Sequence, residues 1–478
     1  MELKIITPEQ ARIPSEAINR YMDALEEYKV NLHGFIMMRG RDIIAEGYYP
    51  PFHKDYIHRM YSISKSFTSI AIGLLIEEGR VSLEDKICDY FLDKLEEETH
   101  PYIKEITIRD MLKMATAHKS TTYKRYDGDD WVKSFFVVEP SHAPGTVFSY
   151  DTSSSHVLAA LVERLSGKSI LDYLRDKFLN VIGFSKEARW LKDPQGISQG
   201  GTGLLCTMRD LAKVAYVCMK EGKLNDVQLL PKEYIKEATM KQISTDTQAA
   251  LDDQFGYGYQ IWKTRHDGFA FIGMGGQLAL CFPEHDFIYL TTADTQGNPV
   301  GLNMQFDAFY QHVYPYVAKN SRCLPENPMV FQNLQKRLCS LKTAVIEGKS
   351  ESEVKTRIDH KRYYMDKNVM DLKWIEFHFD GMKGNISFEN AKGLFEIPFG
   401  FGSYETIHEK WSSFEIMSCA AFVGENELYI KSLLIGDCFA NLHVMFSFKE
   451  NYLTINSKRF AENMLNEYEG MACGHSSL

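Results

Sequence analysis

The feature that most constrains this chain is an apolar run with a lysine set into its first turn. From Ser62 onward, Ile63, Phe67, Ile70, Ala71, Leu74 and Leu75 trace a wide apolar face at helical spacing, and Gly79 ends it. That pattern predicts a buried helix. At its entry stands Tyr61-Ser62-Ile63-Ser64-Lys65-Ser66, an S-x-x-K pattern. Residues three apart share a helix face, so the Ser62 hydroxyl and the Lys65 amine meet. A serine hydroxyl becomes a useful nucleophile only with a base in hydrogen-bond reach. Lysine serves as that base once its ammonium form is disfavoured. Burial and the positive end of the helix dipole both act in that direction, and a drop of about three pKa units corresponds to roughly 4 kcal/mol. The same helix end directs N–H groups outward, so the Ser62 amide is also placed to bind a developing oxyanion.

The chain around this helix has 478 residues, too many for one ordinary core, which predicts two domains or one with an appended module. Hydrophobic residues at 44% and charged residues at 25% are the balance of a folded globular protein. A formal net charge of -10 argues against a nucleic acid partner, because phosphate binding needs a cationic face. The start, Met1-Glu2-Leu3-Lys4-Ile5-Ile6, lacks the pattern of a signal peptide. The most apolar stretch, Ile70 to Ile76, is far shorter than the roughly 20 residues of a spanning helix, so no membrane partner is expected. Nine cysteines without short paired spacings fit free thiols in a reducing compartment, and the expected location is cytoplasmic. No cluster shows metal-ligand spacing and no phosphate-loop pattern occurs, so neither a metal nor a cofactor is expected.

Elements on either side can be placed from periodicity. Ile18, Met22 and Leu25 recur at helical spacing, and Gly34 to Met38 with Ile43 to Tyr48 read as a hairpin. Ser155 to Ser166 and Thr207 to Gly222 read as helices. Phe255 to Trp262, Phe269 to Ile272, Leu278 to Phe282 and Phe287 to Thr292 read as successive antiparallel strands. Composition shifts near Asn320 to Pro328, so 320–365 is expected to be a linker with a short helix. Beyond it, 366–478 alternates in the manner of a small antiparallel sheet or barrel, as in Ile375, Phe377 and Phe379, and in Leu442, Val444, Phe446 and Phe448.

Downstream of the S-x-x-K pattern come Pro144-Gly145-Thr146-Val147-Phe148-Ser149-Tyr150-Asp151-Thr152, then Gly200-Gly201-Thr202-Gly203-Leu204, Tyr257-Gly258-Tyr259 and Gly273-Met274-Gly275-Gly276-Gln277. In that order, over roughly residues 15 to 315, the chain resembles the serine β-lactamase and penicillin-binding protein superfamily, nearest its class C β-lactamase and esterase branch. The resemblance implies an α+β fold for residues 1–319, an antiparallel sheet flanked by helices with a helical subdomain. It implies Ser62 as the acylated nucleophile, Lys65 as proton acceptor or relay, and Tyr150 as the second-motif acid-base group. Thr152, Gly273, Gly275, Gly276 and Gln277 would then line the substrate site, with the Gly276 amide as second oxyanion donor.

Two positions depart from the superfamily pattern. Thr152 stands where Tyr-x-Asn has its amide, and Gly273-Met274-Gly275 lacks the Lys or His of the third motif. A substrate carboxylate would lose a charge-assisted hydrogen bond worth about 1.5 to 3 kcal/mol. The expected activity is therefore hydrolysis of a small ester, amide or peptide through an acyl-enzyme. A D-amino-acid-specific peptidase or weak β-lactamase is the alternative within that chemistry. A non-catalytic penicillin-binding or ligand-sensing protein is the alternative outside it.

Overall fold

The structure, a computed structural model, describes residues 1–298, 300–319, 324–407, 414–462 and 464–476. The chain forms two compact units, Met1–Ala293 with Val300–Lys342, and Asp294–Pro299 with Thr343–Leu478.

The first unit is built on a seven-stranded sheet in the order Lys4–Ile5, Asp42–Tyr48, Leu32–Arg39, Phe287–Ala293, Gln277–Phe282, Phe269–Gly273, Trp262–Lys263. Every pairing is antiparallel except that of Lys4–Ile5. Both faces are covered. Phe35 and Met37 point into one core with Tyr289, Tyr21 and Phe309, beneath helices Ser15–Glu27, Gly301–His312 and Pro328–Cys339. Ile36 and Met38 point into the other with Phe271, Ile288 and the helix Ile63–Glu77. A strand buried on both faces reads as an unbroken apolar run, which is why Gly34 to Met38 shows no alternation.

The helix Ile63–Glu77 lies between this sheet and the helix Thr152–Ser166, and every side chain from Ile63 to Leu75 is buried. Its polar residues are satisfied one by one. Ser64 Oγ donates to the Tyr61 carbonyl at 2.6 Å, Ser66 Oγ to the Gln260 carbonyl at 2.8 Å and Thr68 Oγ1 to the Gly200 carbonyl at 2.8 Å, while Ser69 shares a hydrogen bond with the Tyr234 hydroxyl at 2.9 Å. Gly73 completes the fit, since a Cβ there would stand 2.4 Å from the Tyr234 ring.

Phe255 to Ile261 forms a loop where a strand was expected, and only Trp262–Lys263 joins the sheet. The glycines explain the difference. A Cβ on Gly258 would lie 2.0 Å from the Ala238 carbonyl, and Gly256 has φ 113°, so these residues serve close backbone approach rather than a pleat.

The stretch 320–365 divides at Lys342. Helix Pro328–Cys339 sends Leu334 and Leu338 into the core of the first unit, and helix Glu353–Ile358 sends Val354 and Ile358 into that of the second. Residues 320–323, where the composition shift begins, lie outside the described residues.

The second unit is a ten-stranded sheet running from Gly393–Phe401 through the terminal strand Gly470–Ser476 to Glu405–Ile407. A further pairing of Gly400 with Cys419 and Phe401 with Ala420 joins the first strand of this order to Glu415–Gly424, next to its last, closing the sheet into a β-barrel.

Gly73→Ala tests the tightness of the central helix. It is expected to destabilise the protein by about 1 to 3 kcal/mol in urea unfolding, because the Tyr234 ring must yield to the new methyl.

Candidate active site

The turn into the central helix is held in an uncommon shape. Tyr61 has φ 47°, a left-handed conformation costly for a side chain of its size, and Ser62 follows at φ -67°, ψ -9° as the helix begins. Met60 N donates to the Leu204 carbonyl at 2.8 Å, and Leu204 N donates back to Ser64 Oγ at 2.9 Å. The Arg59 guanidinium sits 4.7 Å from the centre of the Tyr61 ring. The strand Phe269–Gly273 passes beside this turn, where a Cβ on Gly273 would lie 2.4 Å from the Met60 carbonyl. The bare third-motif strand thus lets the sheet edge approach Ser62.

Ser62 is half-buried, whereas Lys65 is 1% exposed. Lys65 Nζ lies 3.0 Å from Ser62 Oγ, 2.8 Å from the Gly201 carbonyl and 5.0 Å from the centre of the Tyr150 ring. Gly201 makes room for this amine, since its Cβ would stand 3.3 Å from Nζ and 2.4 Å from Thr152 Cγ2.

Tyr150 brings the third group, and its hydroxyl hydrogen-bonds to the Ser62 side chain. The residue is half-buried overall, but its hydroxyl end is desolvated. Burial pushes the phenol up to about 12, outweighing the hydrogen bond from Ser62 that favours ionisation. Tyr150 therefore keeps its proton at neutral pH. Trp262 stacks on Tyr150 at 6.0 Å between ring centres, and Phe148 packs on Trp262 at 5.7 Å. These half-buried rings form an aromatic wall beside Ser62.

Asp151, which the sequence reading did not single out, caps the helix Thr152–Ser166 by accepting from Ser153 N at 2.8 Å. Burial pushes its carboxyl up to about 6, with the nearby Lys65 charge opposing. Thr152 N donates to Thr121 Oγ1 at 3.2 Å, and its methyl faces Gly201.

The expected substrate-side residues of the third motif fall into two groups. Gly275 and Gly276 have φ 80° and 94° and make the turn between strands, with the Cβ position of Gly276 filled by Gln305 Nε2 at 2.2 Å. Gln277 points away from the surface. Its side chain is fully buried, donating to the Met274 and Ala293 carbonyls, both at 2.8 Å, and accepting from Ala293 N at 3.1 Å. Through these bonds it braces the turn.

Among the described residues, one trio, Asp359, His360 and His378, brings potential metal-ligand atoms within 4.8 Å. It lies in the second unit, and linear spacing missed it because His378 comes from a separate strand.

The Beta-lactamase family model matches residues 20–308. The chain belongs to that family. The 6-aminohexanoate-dimer hydrolase of Paenarthrobacter ureafaciens is 25% identical over 233 residues, which is 45% of this chain and 59% of that protein. This chain thus spans little more than half the length of that curated relative. Among solved structures, EstCE1, a hydrolase with promiscuous acyltransferase activity, aligns with TM-score 0.51 and 15% identity over 62% of this chain and 99% of that one. A penicillin-binding protein homologue from Caulobacter crescentus aligns with TM-score 0.50 and 14% identity over 63% and 98%. No helix among the described residues is long and apolar enough to cross a membrane.

The Asp151 carboxyl gives the site a pH signature. Its folded-state pKa of about 6 lies above the ordinary 3.8, so the proton favours the folded state. Stability from this group falls as pH rises from about 4 to about 6, by ~3 kcal/mol when complete. Asp151→Asn keeps a capping oxygen, and is expected to exceed the wild type in urea unfolding at pH 7.5 but not at pH 4.

Proposed function

We propose that Ser62 is the nucleophile of an acyl-enzyme hydrolase acting on a small, uncharged ester or amide. The observation that carries the reading is the 3.0 Å approach of Lys65 Nζ to a half-exposed Ser62 Oγ that also bonds the Tyr150 hydroxyl. In acylation Ser62 Oγ bonds to the substrate carbonyl carbon, and its proton passes to neutral Lys65. Tyr150, protonated at rest, gives its proton to the leaving group and recovers one from Lys65, which resets both groups. Water then repeats the cycle on the acyl-Ser62 ester. The developing oxyanion faces the Ser62 amide at the helix entry and an amide of the Gly275-Gly276 turn.

The substrate class follows from what surrounds Ser62. The third-motif strand reads Gly273-Met274-Gly275 and supplies no cation there for a carboxylate, while Phe148, Tyr150 and Trp262 offer an apolar wall.

A fluorophosphonate probe is expected to label Ser62, and Ser62→Ala to abolish both labelling and turnover. Labelling that persists in Ser62→Ala would overturn the assignment. Tyr150→Phe is expected to lower kcat by about 10². On one preparation, p-nitrophenyl acetate should turn over faster than a D-alanyl amide or nitrocefin. Faster nitrocefin hydrolysis would instead restore the β-lactamase reading.

A further inference from the structure

The barrel of the second unit is packed at one end and hollow at the other. Phe377, Phe379, Phe399, Phe401 and Phe448 fill the packed end, with Phe377 edge-on to Phe448 at 5.5 Å and to Phe446, which borders the hollow, at 5.1 Å. On the other side lies a cavity of about 450 Å³ lined by Ile375, Ile386, Ile397, Leu434, Leu442 and Val444, among others. Phe388, Phe395, Phe414 and Phe446 line it as well, so its wall is apolar throughout most of its surface. Protein interiors tolerate few voids larger than a water molecule, so a hollow of this size has room for a bound molecule. Its volume falls within the range of small-molecule sites, and the mouth of a β-barrel is a recurrent place for them.

We propose that this hollow binds a single aliphatic chain, with the polar head of the molecule at the rim formed by Lys392, Glu467 and Tyr468. The lining selects that chemistry. Two buried hydroxyls, Ser432 and Ser457, are the polar side chains of the interior wall, and Ser432 is already engaged with Ser418 at 2.7 Å. A sugar or nucleotide would leave its heteroatoms unpaired there, which is costly, whereas methylene groups lose nothing and leave water. At the rim, Lys392 and Glu467 form an exposed ion pair whose charges are open to a polar head. The site stands apart from Ser62 chemistry and does not depend on the proposed hydrolysis.

The test uses the full chain and 11-(dansylamino)undecanoic acid as fluorescent probe. Saturable one-to-one enhancement is expected, reversed by palmitate or by a lysophospholipid and not by butyrate. Reversal by palmitate assigns a free fatty acid, and reversal by the lysophospholipid alone assigns an esterified tail. Leu442→Trp and Val444→Trp, whose side chains would occupy the hollow, should each weaken probe binding at least tenfold while turnover of a small ester is unchanged. Photolabelling of the wild-type protein with a diazirine palmitate needs no variant, and should mark peptides of the strands Trp374–Asp380, Gly393–Phe401 or Phe439–Lys449. Absence of displaceable binding, undiminished binding in both folded variants, or labelling confined to the first unit would each overturn the proposal.

Discussion

The first unit depends on one arrangement, the burial of a lysine inside a helix that is itself buried. An amine one turn along an interior helix is a liability unless its surroundings accept it. Here the Gly201 carbonyl, the Ser62 hydroxyl and the Tyr150 ring supply that acceptance, and each comes from a different part of the chain. The strain at Tyr61, the bare Gly201 and the bare Gly273 are what allow those parts to converge. Stability is conceded locally so that a polar cluster persists where an apolar one would pack better, which is the expected signature of a functional site.

The two cores of the first unit serve that cluster differently. One, under Ser15–Glu27 and Gly301–His312, stiffens the sheet. The other encloses the central helix and fixes its axis, with the serines and threonines tied to fixed carbonyls. A side chain on such an element has little freedom to drift, which would suit the nucleophile proposed at Ser62.

Much of this was legible in the sequence because it is local or periodic. The S-x-x-K spacing placed Ser62 and Lys65 on one helix face, and the apolar run announced a buried helix. Tyr150 became visible only through the order of motifs, since its partner in space lies 88 positions earlier in the chain. Other features were illegible for physical reasons. The ionisation of Tyr150 depends on desolvation, which no motif encodes. Gln277 looked like a substrate contact because its glycine neighbours turn at the site, yet its amide is taken by Met274 and Ala293. The run Phe255 to Ile261 alternates as a strand does, but Gly258 answers to the Ala238 carbonyl, a contact invisible in linear order. Within the barrel, alternation marked the inward positions without revealing that some of them line a cavity.

The second unit is not contiguous in the chain. Asp294–Pro299 belongs to it although the flanking residues belong to the first, and within it Asp294 is held by the Asn441 amide while Gln296 donates to the Phe439 carbonyl at 2.8 Å. During synthesis this short segment leaves the ribosome before any of the strands it will join. The first unit must therefore mature with a length of chain held over for a later partner, and the barrel cannot be severed at Lys342 without leaving behind a piece of itself.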